Sequence, residues 1–89
     1  MLTIFTPTYN RAFSLRKLYD SLKRQTVKDF EWLVCDDGST DNTSEVLSGC
    51  LLEGIVKMRV VYQANGGKHR AINNGVKQAQ GDWFFIVDS

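Results

Sequence analysis

Phe30-Glu31-Trp32-Leu33-Val34-Cys35-Asp36-Asp37-Gly38-Ser39-Thr40-Asp41 is the stretch that decides how this chain folds. A short apolar run flanked by turn residues marks a buried strand. The run ends in two carboxylates, a glycine and a row of side chains suited to turns and helix caps. In an open α/β sheet, ligands bind at the carboxyl ends of the strands. Two acids there are badly placed for a core and well placed to grip a ligand's polar edge or a metal.

The flanking sequence repeats the alternation. Upstream, Leu2 to Thr6 reads as a strand stopped by Pro7, which cannot donate to a central ladder. Ser14 offers an N-cap to a helix whose apolar stripe is Leu15, Leu18, Tyr19 and Leu22. Downstream, Asp41 or Asn42 caps a second helix, with Val46, Leu47, Cys50 and Leu51 facing inward and Gly54 closing it. Met58 to Gln63 is a third strand, rich in valine and tyrosine. Gly66-Gly67 opens a third helix with inner face Ile72, Gly75, Val76 and Ala79, ended by Gly81 in a left-handed cap. Asp82 to Val87 is the fourth strand. The order β-α-β-α-β-α-β requires right-handed crossovers and implies an α/β fold, Rossmann-like, with a mostly parallel four-stranded sheet and helices on both faces. The usual doubly wound strand order is three-two-one-four, which gathers the loops after strands one, two and four around one crevice. Those loops carry Pro7-Thr8-Tyr9-Asn10-Arg11, Asp36-Asp37 and Asp88.

Composition removes several classes of function. At 89 residues the chain is one small domain or part of a larger one, and a chain this short buries only about 60–65% of its unfolded surface. A hydrophobic content of 43% and a charged content of 24% are those of an ordinary globular protein. The net charge of +1 gives no bulk attraction for nucleic acid or an anionic membrane. Cys35 and Cys50 lack metal-ligand spacing and read as reduced core residues of a cytoplasmic protein. No targeting segment is visible, and the longest apolar run, Trp83 to Val87, is too short to span a bilayer. That run combines high β-propensity with no charge and no proline, so an uncovered edge there is prone to recruit other strands.

What the crevice lacks narrows its ligand. The turn Thr6 to Arg11 has no glycine and is no dinucleotide fingerprint, and Gly66-Gly67-Lys68-His69 lacks the spacing of a Walker A loop. An acid pair repels a bare phosphate. Carboxylates instead accept from base N–H or ribose hydroxyl groups, or hold a cation that screens phosphates. The pattern fits a nucleoside gripped by acids, its phosphates neutralised by a metal and by Lys68 or Arg70.

Four segments together resemble the amino-terminal half of a family-two glycosyltransferase of the GT-A fold. They are Thr6-Pro7-Thr8-Tyr9-Asn10-Arg11, Cys35-Asp36-Asp37-Gly38-Ser39-Thr40-Asp41, Asn65-Gly66-Gly67-Lys68 with Ala71-Ile72-Asn73, and Gly81-Asp82-Trp83-Phe84-Phe85-Ile86-Val87-Asp88-Ser89. The resemblance covers essentially the whole chain, and residues 1–89 then form the donor-binding, truncated part of a larger glycosyltransferase domain. It implies transfer of a sugar from a nucleotide diphosphate donor, a UDP-sugar first of all, to an acceptor hydroxyl with inversion. By the same resemblance Pro7, Thr8 and Tyr9 line the nucleoside pocket, Asp37 accepts from the base, and Lys68 and Arg70 contact the donor. Asp88 is the first carboxylate of a DxD-type motif for Mn²⁺ or Mg²⁺, Ser89 its middle residue. The second acid and the catalytic base fall beyond residue 89. The partners implied are a nucleotide-sugar donor and an unidentified saccharide or lipid-linked acceptor, at the cytoplasmic face of a membrane or in the cytoplasm.

Each residue also has a plainer reading. Asp36 and Asp37 serve equally as turn residues bonding backbone amides, and Asp88 as a turn cap. Lys68, His69 and Arg70 serve as solvated helix residues, and Trp32, Trp83, Phe84 and Phe85 as core aromatics. Among rival folds, a receiver domain needs an acid at the end of strand three, where Val61-Tyr62-Gln63-Ala64 has none. A nucleotidyltransferase needs a glycine-rich, basic first loop. A non-catalytic nucleotide-binding module remains compatible with the same residues.

Overall fold

In a computed structural model of the chain, residues 2–25, 29–64, 67–79 and 83–88 are described, apart from the side chains of Lys68, His69 and Asn74. The elements run β1 (Leu2–Thr8), α1 (Ala12–Lys23), β2 (Phe30–Asp36), α2 (Thr43–Glu53), β3 (Met58–Tyr62), α3 (Lys68–Gln78) and β4 (Trp83–Ile86). The four strands form one parallel sheet in the order β3-β2-β1-β4. This is the expected fold class and strand order, and no acid stands at the end of β3.

β2 is buried along its whole length, as a central parallel strand covered on both faces must be. On one face Phe30, Trp32 and Val34 pack with Leu15, Tyr19 and Leu22 of α1 and with Leu47 and Cys50 of α2. On the other, Leu33 and Cys35 join Phe5, Ala71 and Phe84 beneath α3. The Trp32 indole N–H donates to Thr6 Oγ1 at 2.9 Å, and its ring stacks on Tyr19. The second face also contains a charge: Glu31, fully buried, accepts from Thr3 Oγ1 at 2.9 Å and pairs with Arg59 Nε at 3.5 Å. Arg59 in turn donates to the Gln78 carbonyl at the end of α3.

Several expectations are corrected. Pro7 does not stop β1, which pairs with β2 through Pro7↔Cys35 and Thr8↔Asp36. Thr8 C=O points toward β2, where it accepts from Asp37 N–H, whereas Phe5 C=O points toward β4, where it accepts from Val87 N–H. Backbone polar groups alternate sides along a parallel strand, so the imide nitrogen of Pro7 also faces β4. Its missing N–H removes one rung on the β4 side alone; among the described residues the last β1–β4 register pair is Phe5↔Ile86.

α1 begins at Ala12 rather than after Ser14, because its cap acceptor comes from a different loop, as described below. Leu51 and Val76 lie at the edges of their helices' apolar stripes and are exposed; Leu47 with Cys50, and Ala71 with Gly75, form the buried centres. Trp83 and Phe85 are not core: they stand in register with Leu2 and Ile4 on the edge strand and are 72% and 60% exposed. Gly54 closes α2 at φ 65°, as expected. α3 ends on Ala79 in extended backbone; the expected cap Gly81, like Asn65, Gly66, Asp82 and Ser89, lies outside the described residues. Among the described residues no helix is long and apolar enough to cross a membrane.

Candidate functional site

The loops leaving β1, β2 and β4 meet at the carboxyl edge of the sheet. They enclose an open cleft of about 450 Å³, lined by Pro7, Thr8, Tyr9, Arg11, Asp37, Ala71 and Asp88. Five residues selected from the sequence therefore share one cavity: Pro7, Thr8, Tyr9, Asp37 and Asp88. Arg70 is exposed on α3 and does not line it. The side chain of Lys68 is outside the described residues. Two lining residues, Arg11 and Ala71, had been assigned no role. Arg11 could have been noticed as the sole cation of the first loop, two residues after Tyr9; Ala71 gives no signal, being an ordinary small helix residue.

The adjacent acids of β2 turn opposite ways, as neighbours on a strand do. Asp36 Oδ1 accepts from Ser39 N–H at 3.0 Å and Ser39 Oγ at 2.6 Å, which is the turn role that sequence allowed it. Asp37 faces the cleft and is 7% exposed. Its Oδ1 accepts from Gln63 Nε2 at 2.8 Å and its Oδ2 from Gly67 N–H at 3.0 Å. Asp37 thus ties β2 to the loop after β3 and to the start of α3, where Gly67 sits at φ 87°.

The first two loops are fastened to each other at base and tip. At the base, Asp37 N–H donates to Thr8 C=O at 2.9 Å. At the tip, Asn10 adopts the left-handed conformation at φ 53°, one that asparagine tolerates better than most residues. Its Oδ1 accepts from Thr40 N–H at 2.8 Å and Asp41 N–H at 3.2 Å, and its own N–H donates to Ser39 Oγ at 2.9 Å. Asp41 then serves two helices. Its Oδ1 accepts from the Thr43 hydroxyl and from Thr43 N–H at 3.0 Å. Those bonds, with the Ala12 N–H at the start of α1, hold its carboxyl below the usual range. This is the cap that α1 lacks from its own sequence.

As for a metal, no group of three His, Cys, Asp or Glu side chains among the described residues is placed to hold one. Asp88 is an exposed carboxylate on the cleft wall, the hard oxygen donor that Mn²⁺ or Mg²⁺ takes. As a single carboxylate it fits one ligand of such an ion. Cys35, behind the cleft, is buried and unbridged; burial, then the Asp37 and Asp36 carboxylates, push its thiol up to about 11, so it is no nucleophile.

Comparison with known proteins agrees with this geometry. The profile of Glycosyl transferase family 2 matches residues 3–89. An uncharacterized glycosyltransferase of Bacillus subtilis, EpsJ, is 35% identical over 88 residues, 99% of this chain and 25% of that protein. The solved structure of S. aureus TarS 1-349 in complex with UDP-GlcNAc superposes with a TM-score of 0.88 at 31% identity, covering 98% of this chain and 26% of that one. The mannosyltransferase PcManGT from Pyrobaculum calidifontis, in complex with GDP-Man and Mn²⁺, gives 0.88 at 26% identity, again 98% against 26%. The chain spans about a quarter of the length of each.

Proposed function

The chain belongs to glycosyl transferase family 2, and from that premise we propose that it forms the donor site of an enzyme that transfers a sugar from a nucleoside diphosphate to an acceptor hydroxyl. The observation that carries the reading is the convergence of Pro7, Thr8, Tyr9, Arg11, Asp37 and Asp88, from the carboxyl ends of three strands and the loops that follow them, on one cleft. Tyr9, 42% exposed there, offers a ring against which a base can lie. Asp37, fixed by Gln63 and Gly67, accepts from a base N–H, which both uracil and guanine possess. Support for a sugar nucleotide also comes from the UDP-GlcNAc and GDP-Man bound to the two solved neighbours.

The cleft's charges suit a diphosphate only with help. Among the described lining residues Asp37 and Asp88 face a single cation, Arg11, and a further cation would offset the repulsion that the two carboxylates exert on a diphosphate. When bound at Asp88, Mn²⁺ or Mg²⁺ stabilises negative charge developing on the diphosphate leaving group. Arg11 adds a second positive contact. The reaction is a single displacement at the anomeric carbon, with inversion; the acceptor's proton goes to a base outside this cleft.

Calorimetric titration of the protein with UDP and with GDP, each with Mn²⁺ and with EDTA, tests this. At least one nucleotide is expected to bind, and more tightly with the metal. Equal affinities in both conditions would remove the metal-bridged diphosphate, and no binding of either nucleotide would remove the donor site.

A further inference from the structure

Resting on that reading, we propose that Asn10 is a positioning residue for the donor: its amide clamps the tip of the loop after β1 to the loop after β2, so that Tyr9 and Asp37 stand at their working separation before a nucleoside arrives. The two residues lie on opposite loops, each just inside the clamp. On one side, Thr8 C=O and Asn10 bracket Tyr9; on the other, Asp37 N–H and Ser39 bracket Gly38, which takes φ 77°. The two bonds therefore close a single ring that spans both loops, with Tyr9 inside it on one side and Asp37 at its base on the other.

The clamp is composed of groups that no neighbouring secondary structure uses. Asn10 Oδ1 takes the amides of Thr40 and Asp41, its Nδ2 reaches Thr40 Oγ1 at 3.3 Å, and Ser39 Oγ relays from Asn10 N–H to Asp36 Oδ1. A left-handed asparagine supplies both the backbone turn and the acceptor, of which glycine provides only the turn and alanine neither. Asp41 extends the same connection to the first turns of α1 and α2. Loops that are ordered in advance lose less entropy when a ligand binds, and affinity rises accordingly. Because Tyr9 and Asp37 face the base, the clamp acts on nucleoside recognition and leaves phosphate recognition to Arg11 and Asp88.

The experiment compares Asn10→Gly, which keeps the left-handed turn and deletes the amide, with Asn10→Asp, which keeps an acceptor for the two backbone amides. Dissociation constants for uridine and for UDP with Mn²⁺ are measured well below each variant's melting temperature. We expect Asn10→Gly to weaken both ligands by the same factor, about tenfold, equivalent to roughly 1.4 kcal/mol. Asn10→Asp is expected to recover most of that affinity. Amide exchange at Thr40 and Asp41 is expected to quicken in the free Asn10→Gly protein and to slow again in its UDP complex. Should Asn10→Gly fail to fold, Ser39→Ala removes one bond of the clamp and is expected to weaken both ligands by about threefold. A lowered melting temperature with unchanged dissociation constants overturns the proposal, since it makes Asn10 a stability residue only. A loss confined to UDP, with uridine unaffected, overturns it too. Should the wild-type protein bind GDP and not UDP, guanosine and GDP take the places of uridine and UDP; failure to bind either nucleotide instead overturns the donor-site reading on which the clamp depends.

Discussion

Placing alanine at Gly75 and at Gly49 makes one chemical change in two helices, with opposite outcomes expected. Both glycines are helical, in α3 and α2 respectively. Gly→Ala in a helix interior is worth about 1 kcal/mol in propensity. At Gly49 an added Cβ meets nothing within 4 Å, so that gain is realised. At Gly75 it lands 2.3 Å from Phe5 Cε1 and 2.6 Å from Cδ1 and Cζ, more than 1 Å inside ordinary contact. Phe5 is fully buried, and its ring lies against Phe84 with centroids 5.4 Å apart, so it has little room to yield. Overpacking of this kind costs about 1–3 kcal/mol. Set against the propensity gain, Gly75→Ala is expected to lose up to about 2 kcal/mol while Gly49→Ala gains about 0.5–1 kcal/mol. Urea unfolding of the two variants measures the difference, with slopes checked for equality. Replacing Phe5 with leucine in the Gly75→Ala background should return part of the loss through a favourable coupling term. The displacement of α3 should also loosen the Gly67 N–H bond to Asp37 and lower nucleotide affinity, which Gly49→Ala leaves alone. Equal stabilisation by both alanines would refute the close approach of α3 to β1.

Three further outcomes are expected. Arg11→Gln should weaken UDP by roughly 10- to 150-fold, the loss of a charge-assisted bond worth about 1.5–3 kcal/mol, and leave uridine binding unchanged; an equal loss for both would place Arg11 at the nucleoside. Asp41 and Glu53 both have lowered pKa values, Asp41 chiefly from the Thr43 hydroxyl and Glu53 chiefly from the Tyr19 hydroxyl. Their stabilisation is therefore present above the ordinary carboxylate pKa and lost as pH falls through the lowered values. The urea midpoint should hold from pH 7 to about 5 and drop below about 4, less steeply in Asp41→Asn; an unchanged pH profile in that variant would contradict the shared cap. Finally, Cys35, at about 11, and Cys50, also raised by burial, should resist iodoacetamide at pH 8 in the native protein, and alkylation at the rate of an unfolded peptide would contradict their burial.

The sheet and its crevice were legible because their signals are local. Apolar runs of strand length, stripes at helical spacing and turn residues between them fix β-α alternation, and handedness rules then leave few strand orders. The cleft followed, since Tyr9, Asp37 and Asp88 each stand just past a strand. Long-range polar pairing left no such trace. Nothing near Ala12 announces that its cap is Asp41, and Glu31 in an apolar run gives no hint of Thr3 and Arg59. Hydrophobicity alone also overstated burial. Trp83 and Phe85 are as apolar as Trp32, but an edge strand with one uncovered face leaves them in solvent. Asp37 proved both a cleft residue and a tie between loops, and a sequence cannot show two roles resting on one carboxylate.

One missing proton shapes the mouth of the cleft. Val87 N–H already bonds Phe5 C=O, and in a parallel ladder the next rung runs from residue 7 to the carbonyl of Val87. Pro7 has no hydrogen for it. Any other residue there would carry the N–H for that rung. The rung that is missing between these two strands is thus set by the covalent chemistry of a single ring. It belongs to the chain itself and is there whatever the cleft holds.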